Sequence, residues 1–402
     1  VLDHIGGVMS PEMQTPKLMW LKRNLPSSWS AAGHFFDLAD FLTWKATGST
    51  ARSQCTLTTK WTYLAHDGGW RRDFFEAVGL GDMLAQGGLP DEATALGTSI
   101  GTLTSAAARD LGLATSCRVG PGMIDAFAGS LGVIGAHAAD TADRHLALIA
   151  GTSSCVMAFS GNPRMVPGIW GPYFGSALPG LWQSEGGQSA TGALLDHIIR
   201  MHGKGGEPDA QTHARIIGRI GELRAVESQL APGLHVLPDF HGNRSPFANP
   251  HATGAINGLT LDASFDGLCR LYWRTAVSIA LGVRHILDHM NEHGYRIGSL
   301  HVTGGHTRNP LLMELYADAI GVEVAETEAE DAVLLGTAMA GAGAAGIPAA
   351  VATPGRALRR ATTDRYPPAP DAAQPGRTTA APAPALACAV ARRVLGLRLR
   401  VA

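Results

Sequence analysis

The chain reads as an α/β protein built from two domains, and three observations predict this. Apolar, β-compatible runs are followed by helix-spaced runs, as in Leu300–Thr303 and then Leu311–Ile320, an alternation that lays helices over a sheet. At 402 residues the chain is longer than a single hydrophobic core usually supports. Its hydrophobic content of 45% is ample for two cores.

Taken in order, Phe35 to Leu42 interleaves apolar and acidic positions, and Leu103 to Leu111 reads as a short helix that Gly112 is placed to end. A strand and turn through Val119 and Gly120 lead to Asp125, which stands alone among small and apolar residues. A new unit begins near Asp140. Residues 145–150 and 155–159 are both β-compatible, and the Gly-Thr-Ser-Ser between them predicts a hairpin. Gln188 to His202 is amphipathic, with Thr191, Leu194, Leu195, Ile198 and Ile199 on one face. Helical spacing of Leu268, Leu271, Tyr272, Ile279, Val283, Ile286, Leu287 and Met290 predicts a long helix to about His293, stopped by Gly294. Asn309 and Pro310 suit the cap and first position of the helix Leu311–Ile320, and Gly321 closes it.

A net charge of −2 gives no general attraction to nucleic acid or a membrane surface. The five cysteines are scattered without a CxxC pair, which predicts reduced thiols and a cytoplasmic protein. The first residues show no basic-then-apolar leader, and no apolar run reaches the roughly 20 residues of a spanning helix. The last fifty residues differ: Thr353 to Ala402 holds 9 Arg, 7 Pro and 13 Ala with only 2 acids, a charge of +7 that leaves −9 on the rest. That composition predicts a disordered tail, and its abrupt onset suggests a shifted reading frame, which re-sequencing the locus would test.

Three segments carry the chemistry. Asp125 is a capping aspartate or a general base near a strand–helix junction, where small neighbours (Ala126, Ala128, Gly129) leave room for substrate. Gly151-Thr152-Ser153-Ser154 is an ordinary turn, or a nest of amides and hydroxyls suited to phosphate. Gly304-Gly305 before the helix capped by Asn309 is a tight turn, or a place where backbone approaches a flat base and a helix start lines a nucleotide pocket. Neither GxxxxGK[ST] nor a GxGxxG after a strand occurs, which argues against P-loop and dinucleotide-binding readings.

In this order and spacing the segments resemble the FGGY carbohydrate kinases, most of all their pentulose-kinase, D-ribulokinase-like branch. Supporting motifs include residues 6–13 (GGVMSPEM), 16–22 (PKLMWLK), 33–48 (GHFFDLADFLTWKATG), 170–174 (WGPYF), 185–189 (EGGQS) and 239–246 (DFHGNRSP). The resemblance implies two actin-like, ribonuclease-H-like domains flanking a cleft: 1–142 as the remainder of the first domain, 143–352 as the second, and 353–402 as the tail. It implies ATP and Mg²⁺ as cofactors, with Asp125 as the base that deprotonates a primary hydroxyl of the sugar. Gly151, Thr152 and Ser153 match the family's second phosphate motif, and Gly304, Gly305 and Asn309 its adenosine motif. Lys60 and Glu185 fall where ribulokinase-like members bind the ketose, and a lysine donor with a glutamate acceptor suits a polyol. The His241–Arg244 loop is expected to line the cleft. The Asp-x-Gly-Thr hairpin that opens such kinases is absent, so the first domain is expected to be truncated at its N-terminus.

Two rivals stand beside this reading. A metal-dependent hydrolase would use His285, His289 and His293, four apart on one helix, although no HExxH glutamate accompanies them. A sugar- or nucleotide-binding fragment without catalysis would explain the missing hairpin, but has no use for Asp125.

Overall fold

Some helices of this chain begin at a side-chain cap, as at Ser264 and Asn309, and others begin without one, as after Ile124 and Thr191, and rely on a buried face. A computed structural model describes residues 1–137, 141–327, 329, 331–347 and 362–366. In chain order its helices are α1 (Gln14–Asn24), α2 (Pro26–Ala31), α3 (Leu38–Thr47), α4 (Gln54–Lys60), α5 (Arg72–Ala77), α6 (Met83–Gln86), α7 (Ser105–Leu111), α8 (Asp125–Ile134), α9 (Gly192–Met201), α10 (Ala210–Val226), α11 (Phe265–Glu292), α12 (Pro310–Ile320) and α13 (Ala332–Ala344). The strands are β1 (Gly101–Thr102), β2 (Arg118–Val119), β3 (His145–Ala150), β4 (Ser154–Ser160), β5 (Trp170–Phe174), β6 (Trp182–Gln188), β7 (His235–Leu237), β8 (Ala255–Asn257), β9 (Ser299–Gly304), β10 (Glu323–Thr327) and β11 (Thr362–Tyr366). Among the described residues the main sheet has seven strands in the order β11-β10-β9-β3-β4-β6-β5. It is mixed: β9 and β10 pair parallel, β5 and β6 antiparallel.

By contact the chain divides into two units that interleave along the sequence, where the sequence reading draws linear boundaries. Among the described residues, 1–137, 141–147, 157–185, 327, 329 and 331–347 make one; 148–156, 186–326 and 362–366 make the other. The disorder expected for 353–402 concerns residues outside those described, apart from β11.

The first unit is cored by aromatics and leucines, including Trp29, Phe35, Leu57, Trp61, Trp70 and Phe75. Asp40 on α3 is buried beside them, and burial pushes its carboxyl up to about 6 despite hydrogen bonds from Thr56 and the Ser53 amide. Those bonds fix the start of α4. Elsewhere in this unit α8 and α13 cross closely. A Cβ on Gly132 would lie 2.1 Å from the Ala332 carbonyl oxygen, and one on Gly336 1.9 Å from that of Ala128, so only hydrogen fits at either crossing point.

The second unit is organised by α11. Ser264 caps it, accepting from the Gly267 amide, and all eight apolar residues that predict the helix are buried, each contributing about 1.5–3 kcal/mol. On α9 the predicted face Thr191, Leu194, Leu195, Ile198 and Ile199 is likewise buried. Asn309 caps α12 by accepting from the Leu312 amide, Pro310 is its first residue, and Gly321 ends it in a left-handed conformation.

Candidate active site

In the first unit, Lys60 ends α4 and Glu185 lies on β6. Their charged groups face each other at 3.8 Å, with side chains 14% and 3% exposed. At that separation the pair attracts without closing a short hydrogen bond, and a sugar hydroxyl bridging them could accept from the ammonium and donate to the carboxylate. Trp170 completes the arrangement. It sits opposite Glu185 in the β5–β6 register, and the Lys60 ammonium lies 4.9 Å from its ring centre, a cation–π contact that directs the flexible lysine.

Asp125 is the first residue of α8 and is exposed. Its Oδ1 accepts from the Ala126 amide at 2.7 Å, which fixes the carboxylate at the positive end of the helix. Two ties bring α8 to the elements that carry Lys60 and Glu185. Gln183 on β6 donates to Ser130 Oγ on α8 at 2.6 Å, and the Cys55 thiol on α4 interacts with the Ile124 backbone, one residue before Asp125. Burial pushes that thiol up to about 12, so it stays neutral. α4, α8 and the Trp182–Glu185 part of β6 are therefore cross-linked within one unit.

In the second unit the two expected nucleotide segments meet. Gly304 has φ of 92°, and a Cβ there would lie 2.4 Å from the Ala150 carbonyl oxygen. Only glycine permits both this conformation and this approach. The Gly151–Ser153 turn is pinned on its other side by α9: the Gly192 amide donates to Gly151 O, and the amides of Thr191 and Ala193 to Thr152 O. One feature of the expected amide nest differs. The Gly151 N–H donates to Ser153 O at 2.9 Å, which closes the turn and commits that donor, whereas the Thr152 and Ser153 side chains remain exposed. Asn309 also donates to Tyr272 Oη at 3.4 Å, and Tyr272 bonds His213, which bonds Asp196 on α9. This chain of polar groups anchors the cap to the helix behind the phosphate-sized turn.

The 239–246 loop lies within the second unit. Arg244 approaches Cys155 Sγ at 3.3 Å, and Ser245 Oγ accepts from the Gly187 amide. With Gln188, Ser278 and His285 the loop lines a cavity of about 100 Å³. The three helical histidines do not gather as one ligand set: the His289 and His293 rings lie 4.5 Å apart and His293 bonds the His289 carbonyl, but His285 packs edge-on against Phe247. That geometry removes the hydrolase rival.

Residues 146–345 match the C-terminal domain of the FGGY family of carbohydrate kinases. An FGGY carbohydrate kinase domain-containing protein of Danio rerio is 46% identical over 85% of this chain and 67% of its own length. The chain belongs to the FGGY carbohydrate kinase family. A D-ribulokinase of Saccharomyces cerevisiae is 36% identical to this FGGY member, over 85% of the chain and 54% of the yeast protein. The chain thus spans about two thirds of the animal relative and about half of the yeast one. Its fold is shared with a xylulose kinase from Rhodospirillum rubrum, with a TM-score of 0.73 at 22% identity, over 96% of this chain and 73% of that one. The expected α/β architecture of the actin-like, ribonuclease-H-like sugar kinases is thereby established.

Sequence reasoning named Lys60, Asp125 and Glu185 but gave no role to Trp170 or Gln183. Trp170 lay in a quoted motif, yet its place opposite Glu185 is a matter of strand register, which pattern alone does not fix.

Proposed function

We propose that this FGGY protein is an ATP-dependent pentulose kinase that transfers the γ-phosphoryl group to a primary hydroxyl of a five-carbon ketose, D-ribulose first. The observation that carries the reading is the buried Lys60–Glu185 pair, cross-tied to the helix that begins at Asp125. Buried opposite charges held apart by 3.8 Å suit a neutral, hydroxyl-rich ligand far better than an apolar or ionic one. The name of the yeast relative supports D-ribulose.

Asp125 takes the proton of the attacking hydroxyl, and Lys60 and Glu185 orient the sugar. Thr152 and Ser153 donate to the β- and γ-phosphates; Gly304, Gly305 and Asn309 form the wall against adenosine. The donors of the 151–153 turn are hydroxyls and amides, which match phosphate oxygens, so Mg²⁺ enters as part of the MgATP substrate. Residues 1–142 and 143–352 serve as the two kinase domains of the proposal. The cytoplasm is the proposed compartment, supported by Cys55, Cys117 and Cys269, which form no disulfide among the described residues; no helix among the described residues is long and apolar enough to cross a membrane.

The test is ADP release by the full-length gene product against a panel of pentuloses and pentitols. D-ribulose is expected to give the highest kcat/KM. Turnover with a pentitol alone, or with no sugar in the panel, would overturn the assignment.

A further inference from the structure

His306 is the second residue of a four-residue 3-10 turn, Gly305–Arg308, that follows the Gly304 approach. It is 4% exposed. Its Nδ1 lies 2.8 Å from the hydroxyl of Tyr316, itself fully buried on α12. Its Nε2 is buried and makes no well-aligned hydrogen bond, but it interacts with the Gly151 backbone. Burial pushes the imidazole down to about 4, so near neutral pH it carries a single proton. The tautomer with that proton on Nε2 lets the Tyr316 hydroxyl donate to Nδ1 and turns the Nε2 donor toward the Gly151 backbone. The Gly151 carbonyl also accepts from the Gly192 amide at 3.1 Å and from Thr191 Oγ1 at 3.3 Å. The imidazole is thus wedged between one turn that it belongs to and another that it touches.

We propose that His306 is a positioning residue for nucleotide binding, a strut that sets the Gly151–Ser153 turn at the spacing from the Gly304–Asn309 turn that one nucleotide spans. The inference rests on the kinase reading of those two turns. A strut between half-sites has a particular signature. It matters to a ligand that engages both turns together, and not to fragments that engage one. ADP must satisfy the phosphate turn and the adenosine turn at once, whereas adenosine or tripolyphosphate needs only its own.

The experiment measures ADP, adenosine and tripolyphosphate binding by calorimetry on the full-length protein and its variants. His306→Phe, which keeps the buried volume without the donor, is expected to weaken ADP about tenfold and to change each fragment less than twofold. His306→Gln, which keeps a donor reaching toward Gly151, is expected to recover most of the ADP affinity. Tyr316→Phe removes only the hydroxyl that orders the ring, is the milder variant should His306→Phe fail to fold, and is expected to weaken ADP about threefold. Unchanged ADP affinity in His306→Phe, or in Tyr316→Phe where that alone folds, overturns the proposal, as does a parallel loss of all three ligands. A wild-type protein that binds no ADP overturns the kinase reading itself, and the inference with it.

Discussion

The residues assigned to sugar and those assigned to nucleotide are built in opposite ways. On the sugar side, three elements distant in sequence each contribute one charged side chain: Lys60 from α4, Asp125 from α8 and Glu185 from β6. On the nucleotide side the working surface is backbone, brought close by Gly304 against Ala150 and held by the caps at Thr191 and Asn309. A side-chain site is altered by changing functional groups at constant shape. A backbone site is altered by adding atoms or loosening supports. The FGGY protein should therefore respond to isosteric substitution on one side and to cap or strut substitution on the other.

The sharpest break is Asp125→Asn. It removes the proton acceptor at constant shape and is expected to lower kcat about 10²–10⁴-fold while sugar binding, followed by calorimetry, persists. A variant that retains turnover would show that Asp125 only caps α8. Next, Lys60→Met keeps the stem over Trp170 and removes the ammonium; the sugar KM is expected to rise about 10–100-fold, with the KM for ATP unchanged. Should both constants rise together, the contrast between the two sides fails.

Acid stability probes the nucleotide side. The His306 imidazole is pushed down to about 4 from an ordinary value of 6.5. Between those values the unfolded chain binds more protons than the folded one, so stability is fully present above pH 6.5 and is lost as pH falls toward 4. The loss from this group is about 3 kcal/mol, read as the difference in acid-limb urea midpoints between wild type and His306→Gln. Coincident acid limbs would mean that the ring is not held neutral by the fold. The smallest effect is expected from Asn309→Ala, about 1 kcal/mol of stability through the lost cap of α12, together with a raised KM for ATP and an unaltered sugar KM. A shift in the sugar constant instead would place Asn309 outside the nucleotide support.

How much of this was legible in the sequence follows the same division. The long helix α11, the hairpin strands β3 and β4 and the cap of α12 all rest on contacts within a few residues, so spacing and cap chemistry announce them. The candidate residues Lys60, Asp125 and Glu185 were readable because their motifs are local strings. Only the family resemblance grouped them; the physical ties, Gln183 reaching Ser130 and the register that sets Trp170 opposite Glu185, are tertiary. The interleaving of the two units was also unreadable, since strands adjacent in a sheet need not be adjacent in sequence.

By itself, the sequence determined which residues are charged, which turns can bend sharply and which faces are apolar, because these depend on side-chain chemistry and the local backbone. Only the tertiary structure decided that Gly304 would press against Ala150, that His306 would be buried neutral beside Gly151, and that Lys60 would meet Glu185. Each of those outcomes joins segments about 125 to 155 residues apart, and their proximity is set by long-range packing of sheet and helices that no local signal encodes.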